Sequence, residues 1–326
     1  MKHFIGRILE AIYRFALKMS QAFYRVVPGR IRRVNARVIS IGNITWGGTG
    51  KTPLVAKLTK ELKDSGKNVA ILTRGYGKDE VEELKRRLPD VPILVGRDRV
   101  KKAREAVDKY KAEYLILDDG FQHIRLHRDV DVVNINTTMP FGSGALVPLG
   151  ILREPLEALK RANVFVLTKS DIGQKNIHWI HQRLTALKSD AVIFEAVHRP
   201  VQFMDFKRNR FLPLSEVKGR KVATICGIAD PFSFEKTVEK LGAEIPFAAR
   251  FDDHYDYSEH DLLEFARRCK EMNIKDAVTT EKDFYRIEPV LKKKRHGDLQ
   301  AVNFLVLQIE FEVTDEEDFI RRCINP

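Results

Sequence analysis

The sequence has 326 residues, of which 44% are hydrophobic and 31% are charged. This length suits two domains of ordinary size, and the composition excludes a disordered or fibrous protein. The formal net charge of +12 favours anionic partners such as nucleotide phosphates, acidic lipid headgroups or nucleic acid, without choosing among them. Cys226, Cys269 and Cys323 form no CxxC pair, which argues against a disulfide framework or a zinc site and for a reducing compartment.

The first predicted element is an amphipathic helix within residues 1–28. Basic residues interrupt it too often for a membrane span, which needs about 20 mostly apolar residues. Two interpretations stay open: a helix that lies on an anionic membrane surface with its apolar face in the lipid, or a helix packed against the protein core. Its apolar residues recur every three or four positions and are Phe4, Ile8, Ile12, Phe15, Met19 and Phe23.

The strongest motif is GNITWGGTGKTP at residues 42–53, between a β-rich run and a helical one. A glycine-rich loop there presents N–H groups to a nucleotide phosphate, Lys51 reaches the β- and γ-phosphates, and Thr52 offers a hydroxyl to Mg²⁺. The motif is a variant, because the strict pattern has glycine where this chain has Thr45. A glycine-rich turn without function is the alternative. The predicted nucleotide-binding residues are Gly47, Gly48, Thr49, Gly50, Lys51 and Thr52.

Short β-rich runs alternate with helical stretches from residue 38 onward. This order predicts a mostly parallel sheet with helices on both faces. The predicted strands are 38–41, 69–72, 91–95, 114–117, 130–135 and 164–167. A second, smaller α/β unit is predicted from strands at 222–226, 245–248 and 277–279 and helices at 232–241 and 259–272.

The predicted fold class is α/β: a P-loop NTPase-like domain with a mostly parallel sheet and a second, smaller α/β domain. Run 304–313 alternates like a half-exposed strand and is predicted to pair with run 191–197 as a two-strand hinge. The expected divisions are the helix at 1–28, the P-loop domain at 29–200, the smaller domain at 201–302, and the hinge strand with a last helix at 303–326. Residues 191–214 are expected to form an irregular exit from the first domain.

Acidic residues follow two of the predicted strands. Asp118 and Asp119 would lie at the same sheet edge as the phosphate loop, where carboxylates and the Thr52 hydroxyl could hold Mg²⁺, or one of them could cap a turn. Asp98 follows run 91–95 beside two arginines. An ionised carboxylate there could accept the proton of an attacking hydroxyl, or it could be a helix N-cap or a surface ion pair.

Three further segments carry charged groups with alternative interpretations. Arg153 could neutralise phosphate charge and Glu154 could bind the metal, or the two could form a surface ion pair. His254 lies among acids that favour its protonated form, or its segment is an acidic helix N-terminus. Residues 279–284 have the composition of a polar loop after a strand.

Together these segments resemble the tetraacyldisaccharide 4'-kinase family over most of the chain, to about residue 283. The motifs that carry the resemblance are SIGNITWGGTGKTP, TRGYG, GRDR, LDDGFQHIRLHRD, LREP, CGIADPFSF, FDDHYDYS and TTEKD. The resemblance implies transfer of the ATP γ-phosphoryl group to the 4'-hydroxyl of a tetraacylated glucosamine disaccharide 1-phosphate, a lipid A precursor, with Mg²⁺ as cofactor. It further implies a peripheral protein at the cytoplasmic face of the inner membrane, held on the anionic membrane surface by its N-terminal helix.

Carried over residue by residue, the resemblance implies Asp98 as the catalytic base and His254 of the other domain as its partner, with domain closure completing the site. Lys51 and Arg153 join them as catalytic residues. The implied metal ligands are Thr52, Asp118, Asp119 and Glu154, and the residues implied near the substrate are Tyr76 and His123.

The chain departs from the family between Gly77 and Arg97, where it is shorter and lacks a GDEP-like segment, which bears on the acceptor site more than on phosphoryl transfer. Two other classes compete. A P-loop switch or metallochaperone-like NTPase would need no base at Asp98. A nucleic-acid binder would suit the net charge, but the basic run at 292–295 carries no interleaved aromatic residues, so no nucleic-acid partner is predicted. No protein partner is predicted either.

Overall fold

The computed structural model describes residues 2–27, 29–75, 78–293, 299 and 301–324. The chain divides into two compact units, residues 1–197 with 311–326, and residues 198–310. It passes between them within two strands, β7 (Val192–Asp205) and β12 (Asn303–Val313), which are neighbours in the strand order. The predicted domain boundary at residue 200 falls inside β7. Hinge movement at these strands stays a prediction.

The first unit is built on a parallel sheet with the strand order β7-β6-β5-β1-β4-β2-β3. All six strands predicted for this unit are present, as β1 (Arg37–Asn43), β2 (Val69–Thr73), β3 (Ile93–Val95), β4 (Tyr114–Asp118), β5 (Val130–Asn136) and β6 (Val164–Thr168). β2, β5 and β6 are buried along their whole length. Burial on both faces explains why these strands are continuous apolar runs rather than alternating ones.

Helices cover both faces of this sheet. Leu58 and Phe319 belong to the core cluster on one face, and Phe165 and Leu184 belong to a second cluster. The helices of the first unit are α1 (Lys2–Val26), α2 (Lys51–Asp64), α3 (Lys78–Arg87), α4 (Arg99–Tyr110), α5 (Gln174–Leu187) and α9 (Glu316–Ile324). The expected α/β class with a mostly parallel sheet is therefore confirmed.

The second unit is a smaller parallel sheet with the order β10-β9-β11-β12. In addition to β12, the strands of this unit are β8 (Arg210–Leu212), β9 (Lys221–Cys226), β10 (Glu244–Arg250) and β11 (Asp276–Thr280). Its helices are α6 (Pro231–Lys240), α7 (Glu259–Glu271) and α8 (Glu281–Lys293).

Two local expectations for the chain after residue 190 are wrong. Residues 191–214 are not an irregular exit: β7 runs on to Asp205 and pairs with β8 as an antiparallel hairpin, with Phe203 opposite Leu212. Residues 279–284 are not a polar loop: β11 ends at Thr280 and α8 begins at the next residue. The backbone N–H of Asp283 donates to the Thr280 hydroxyl at 3.0 Å, so the polar residues end the strand and start the helix.

Helix α1 packs on the first unit with one face and leaves the other uncovered. Its Tyr13 hydroxyl donates to the Arg153 carbonyl at 2.9 Å, and the Leu146 amide donates to its Glu10 carboxylate at 3.2 Å. Among the side chains of this helix that the structure describes, eight large apolar ones are nevertheless exposed: Ile5, Ile8, Leu9, Ile12, Phe15, Met19, Phe23 and Val26. In the described part of the chain, no helix combines the length and apolarity of a membrane span.

Candidate active site

The phosphate loop, residues 42–53, connects β1 to α2 as the sequence predicts. Gly47 and Gly50 have positive φ angles of 109° and 73°, which glycine adopts readily, and α2 begins at the next residue, Lys51. Thr45, the departure from the strict motif, forms an antiparallel bridge with Leu152. Its φ is not in the left-handed region, so glycine is not required at that position.

Side chains of the neighbouring strands hold this loop. The Thr49 carbonyl accepts hydrogen bonds from the Thr168 hydroxyl at 3.1 Å and from the Asn134 side-chain amide at 3.3 Å. These donors lie on β6 and β5, so the loop is fixed against the carboxyl edge of the sheet. This is the edge where open α/β sheets bind ligands.

Asp119 is the centre of a charged cluster beside the loop. It follows β4 with a φ of 51° and receives two parallel hydrogen bonds from Arg153, at 2.7 and 3.1 Å. The Lys51 ammonium lies 3.7 Å from the same carboxylate. Burial opposes ionisation of Asp119, but the two cations outweigh it and hold its pKa below the usual value. Lys51, Asp119 and Arg153, named separately from the sequence, are thus brought together.

Asp118 lies in a different environment from its neighbour. It is buried at the end of β4 and accepts a hydrogen bond from the Thr73 hydroxyl of β2 at 3.0 Å. Burial, and after it the negative charge of Glu80, raise the pKa of Asp118 to about 6, while Lys51 acts against them. Glu80 is in α3, within the segment where the sequence departs from the family's usual form.

Glu154 is buried and fully engaged by other side chains. Arg161 donates to its two oxygens at 3.0 and 3.1 Å, and Gln21 of α1 donates at 2.7 Å. Among residues 2–27, 29–75, 78–293, 299 and 301–324, no three His, Cys, Asp or Glu side chains form a group that could hold a metal ion. A magnesium ion bound with a nucleotide needs only one or two carboxylates besides phosphate oxygens, so Thr52 and Asp118 suit it without Glu154.

Asp98 has the two structural roles that its sequence position left open. Its carboxylate caps α4 by accepting from the Lys101 amide at 3.1 Å, and Arg125 lies 3.6 Å away. The Lys101 hydrogen bond, and then the Arg125 charge, lower the pKa of Asp98. The side chain is 47% exposed, so it is ionised and accessible. Its role as a base stays a prediction.

His123 lies close to Asp98 in a partly buried, strongly basic environment. Burial, followed by the charges of Arg99 and Arg128, lowers the pKa of His123 to about 4. The ring atom Nε2 is buried and has no hydrogen-bond partner among the described residues. His123 is therefore a neutral imidazole at physiological pH. Tyr76, the other residue predicted near the substrate, lies outside the described residues.

His254 belongs to the second unit, in the loop before α7. Its backbone has a φ of 63°, and its Nε2 lies 3.8 Å from the Asp253 carboxylate and 3.4 Å from the Lys282 ammonium. The sequence named the neighbouring acids but not this lysine, which lies 28 residues away. The ring is exposed.

A cavity of about 730 Å³ opens in the first unit between the loop after β6, helix α5 and the first half of β7. Its lining begins at Ser170, two residues after Thr168, whose hydroxyl donates a hydrogen bond to the phosphate loop. No sequence motif identified it. Its lining residues are Ser170, Asp171, Gln174, Ile177, His178, His181, Glu195 and Val197.

Comparison with known proteins decides the family. A profile of the tetraacyldisaccharide-1-P 4'-kinase family matches residues 3–325. The chain belongs to this family. The tetraacyldisaccharide 4'-kinase of Halothermothrix orenii is 35% identical over 358 aligned positions, which cover 99% of this chain and 92% of the relative. That of Syntrophus aciditrophicus is 34% identical and covers 96% of this chain and 90% of the relative.

Among solved structures, the "apo" form of LpxK from Aquifex aeolicus in complex with ATP matches 99% of both chains with a TM-score of 0.72 and 26% identity. The match confirms the family resemblance and the fold predicted from the sequence. The relatives carry the name of a kinase, which does not favour the alternative of a P-loop switch. The roles of individual residues are not tested by these likenesses and stay predictions.

Proposed function

We propose that this chain transfers the γ-phosphoryl group of ATP to the 4'-hydroxyl of a tetraacylated glucosamine disaccharide 1-phosphate, a step in lipid A biosynthesis. The observation that carries the proposal is the cluster of Lys51, Asp119 and Arg153 at the phosphate loop, in a chain that belongs to the 4'-kinase family. The cluster joins the loop that cradles phosphates to the cations that neutralise transferring phosphoryl charge.

The phosphate loop binds the triphosphate through the backbone N–H groups of Gly47, Gly48, Thr49 and Gly50. Lys51 reaches the β- and γ-phosphates, and Arg153 stabilises the charge that spreads over the equatorial oxygens during transfer. Arg153 is suited to this because Asp119 and Asn43 fix its guanidinium, with the Asn43 oxygen at 3.1 Å. Little reorganisation is then needed when the phosphoryl group moves.

Thr52 and Asp118 would hold Mg²⁺, with Asp119 next to them. The ion supplies neutralisation of charge on the β- and γ-phosphate oxygens when it is bound. The Thr73 hydrogen bond fixes the Asp118 carboxylate, and the burial that raises its pKa also keeps competing water away. Glu154 joins this set only if its carboxylate leaves Arg161 and Gln21.

Asp98 is assigned as the base that accepts the proton of the 4'-hydroxyl, because it is ionised and half-exposed. His254 of the second unit is assigned as its partner. His123 and Tyr76 are assigned to contact the acceptor. A neutral imidazole at position 123 can donate one hydrogen bond and accept another, which suits the hydroxyl groups of a sugar.

The membrane is the proposed location of the reaction, since the acceptor is a lipid. The exposed apolar face of α1 would enter the lipid, and its basic residues would contact anionic headgroups. We assign the chain to the cytoplasmic face of the inner membrane, where ATP is available. α1 also forms hydrogen bonds with Leu146, Arg153 and Glu154, so it links the membrane to the segment that carries Arg153.

The deciding experiment is mass spectrometry of the purified disaccharide acceptor after incubation with the protein and Mg-ATP in detergent micelles. We expect one added phosphoryl group, at the 4' position. An acceptor that stays unmodified while ATP is hydrolysed, with nucleotide-dependent binding to a protein, would support the switch alternative instead.

The base assignment has a sharper test, because asparagine caps a helix as well as aspartate does. If Asp98 only caps α4, Asp98→Asn leaves kcat nearly unchanged. If Asp98 is the base, we expect kcat to fall by about 100-fold or more. Asp230, which caps α6 by accepting from the Ser233 amide at 3.2 Å, is the matched control, and Asp230→Asn is expected to leave kcat unchanged.

A further inference from the structure

The side chain of Asp283 is completely buried in the second unit and connects three of its segments. Its Oδ1 accepts hydrogen bonds from the Gly227 amide at 2.8 Å, the Tyr257 hydroxyl at 3.0 Å and the Arg286 guanidinium at 3.1 Å. Its Oδ2 accepts from the Thr280 hydroxyl at 2.6 Å. All four partners donate, so an ionised carboxylate satisfies them all. We call these five residues the Asp283 network.

The network reaches the backbone of His254 from two sides. The His254 amide donates to the Gly227 carbonyl at 3.2 Å, and the Gly227 amide is itself bound to Asp283. The Arg286 guanidinium donates to the carbonyl of Tyr255, the residue after His254, at 3.0 Å. His254 has a φ of 63°, a conformation that costs a residue other than glycine energy and persists only where its surroundings impose it.

Close packing of the two loops leaves this backbone little freedom. A Cβ added at Gly227 would lie 2.9 Å from the Asp252 carbonyl oxygen, 3.1 Å from the Tyr255 Cβ and 3.2 Å from the Tyr257 hydroxyl. The loop after β9 and the loop before α7 therefore approach each other as closely as a glycine allows. Asp283 binds both loops at this point.

We propose that Asp283 is a positioning residue for phosphoryl transfer, which fixes the backbone at His254 through Gly227 and Arg286 and thereby orients the imidazole. This inference rests on the proposed function, since it requires His254 to take part in the reaction. It also gives three distant motifs a common role: CGIADPFSF supplies Gly227, FDDHYDYS supplies Tyr257 with His254, and TTEKD supplies Asp283 with Thr280.

The test substitutes Asp283 by asparagine, which keeps the shape and removes the charge. A displacement of about 1 Å at a catalytic group costs up to about 100-fold in rate. We expect Asp283→Asn to lower kcat by about 10- to 100-fold and to leave KM for ATP within about 2-fold, because the residues assigned to ATP all belong to the first unit.

Asp205 provides the matched control. It is also completely buried in the second unit, and it accepts hydrogen bonds from the backbone and guanidinium of Arg208 at 3.0 and 2.8 Å. Within the described part of the chain, none of its hydrogen bonds reaches the loop that carries His254. Asp205→Asn is expected to leave kcat within about 2-fold. If Asp205→Asn lowers kcat as much as Asp283→Asn does, the loss of any buried carboxylate explains the effect, and the proposal is overturned.

A double-mutant cycle separates positioning from general loss of structure. In a His254→Ala background, a residue that acts through His254 has nothing left to orient, so Asp283→Asn should not lower kcat further. The same loss in both backgrounds would overturn the proposal. If Asp283→Asn does not fold, Tyr257→Phe, which removes one of the donors to Oδ1, serves in the same cycle.

An error in the proposed function and an error in the positioning role of Asp283 give different kinetic results. If His254→Ala leaves kcat unchanged, the assignment of His254 in the proposed function is wrong and the inference falls with it. If His254→Ala lowers kcat but Asp283→Asn and Tyr257→Phe do not, the proposed function stands and the positioning role alone is wrong.

Discussion

The contacts of Arg153 depend on the shape of its guanidinium group and not on its positive charge alone. It donates in parallel to both Asp119 oxygens and to Asn43, and its guanidinium lies 5.2 Å from the centre of the Trp46 ring. Lysine keeps the charge but cannot form this fork. We therefore expect Arg153→Lys to lower kcat/KM for ATP by about 10- to 100-fold, measured by steady-state kinetics at saturating acceptor.

The control for Arg153→Lys is a similar fork elsewhere. Arg250 donates to both oxygens of Glu235, each at 2.7 Å, in the second unit. Arg250→Lys removes one bond of that fork and is expected to leave kcat/KM for ATP unchanged. Equal losses in the two variants would mean that the Arg153 effect comes from stability and not from phosphate binding.

His123 should make the free energy of unfolding depend on pH. Its pKa is lowered from 6.5 to about 4 in the folded chain, so the unfolded chain binds the proton more readily. Stability is thus unaffected above pH 6.5 and is lost as pH falls from there towards 4. Urea unfolding of His123→Gln should show a smaller loss between pH 7 and 5 than the wild type. His178→Gln, at an exposed position on α5, should match the wild type, and a wild-type slope in His123→Gln would contradict the burial of the ring.

Residues whose role follows from their own type and strand position could be predicted from the sequence. Lys51, Asp118 and Asp119 each follow a recognisable strand, so their convergence on one sheet edge could be inferred. The partners that complete them could not. Thr73 lies 45 positions from Asp118, and Gln21 lies 133 positions from Glu154, and nothing local marks either residue as a donor to a buried carboxylate.

At the scale of the element, helix α1 is attached to the first unit through polar side chains, while its apolar side chains are exposed. Such a helix gains free energy by entering a lipid surface. We expect Phe15→Glu to weaken binding to vesicles of anionic lipid by about 10-fold or more in a flotation assay, since it places a charge on the exposed apolar face that would enter the lipid. Phe211, which is 61% exposed against 66% for Phe15, lies outside this helix and is the matched control.

Phe211→Glu is expected to bind vesicles as the wild type does. If both variants lose binding to the same extent, the apolar face of α1 is not the contact and net charge alone explains the loss. Helix α1 is attached to the first unit by the hydrogen bonds of Tyr13 and Glu10, and Phe15 takes no part in these bonds. Phe15→Glu should therefore leave the melting temperature of the protein unchanged.

The strands were more predictable than two of the helices for a physical reason. A strand buried on both faces must be apolar throughout, and this signal survives without neighbours. Helix α3 is mostly charged and buries only a narrow apolar side with Val81 and Leu84, so its pattern is weak. Helix α8 begins with the acids Glu281 and Asp283 and contains Pro289, which together have the composition of a loop.

At the scale of the whole molecule, the three buried cysteines are distributed over both units, so their reactivity measures the opening of each. Cys323 belongs to α9 in the first unit, and Cys226 and Cys269 belong to the second. Burial raises the pKa of all three thiols, that of Cys269 to about 12, so they react only when their surroundings open. Labelling by a thiol reagent therefore measures the opening of each unit separately.

ATP should slow this opening selectively, because every residue assigned to the nucleotide lies in the first unit. A ligand present at 100 times its Kd stabilises the folded form by about 2.7 kcal/mol, which slows labelling through opening by about 100-fold. We expect this protection at Cys323, and less at Cys226 and Cys269, followed by mass spectrometry of quenched samples. The variant Lys51→Ala should show little protection at any cysteine. Equal protection at all three thiols would mean that the units open as one, since the chain crosses between them in two neighbouring strands rather than in a flexible linker.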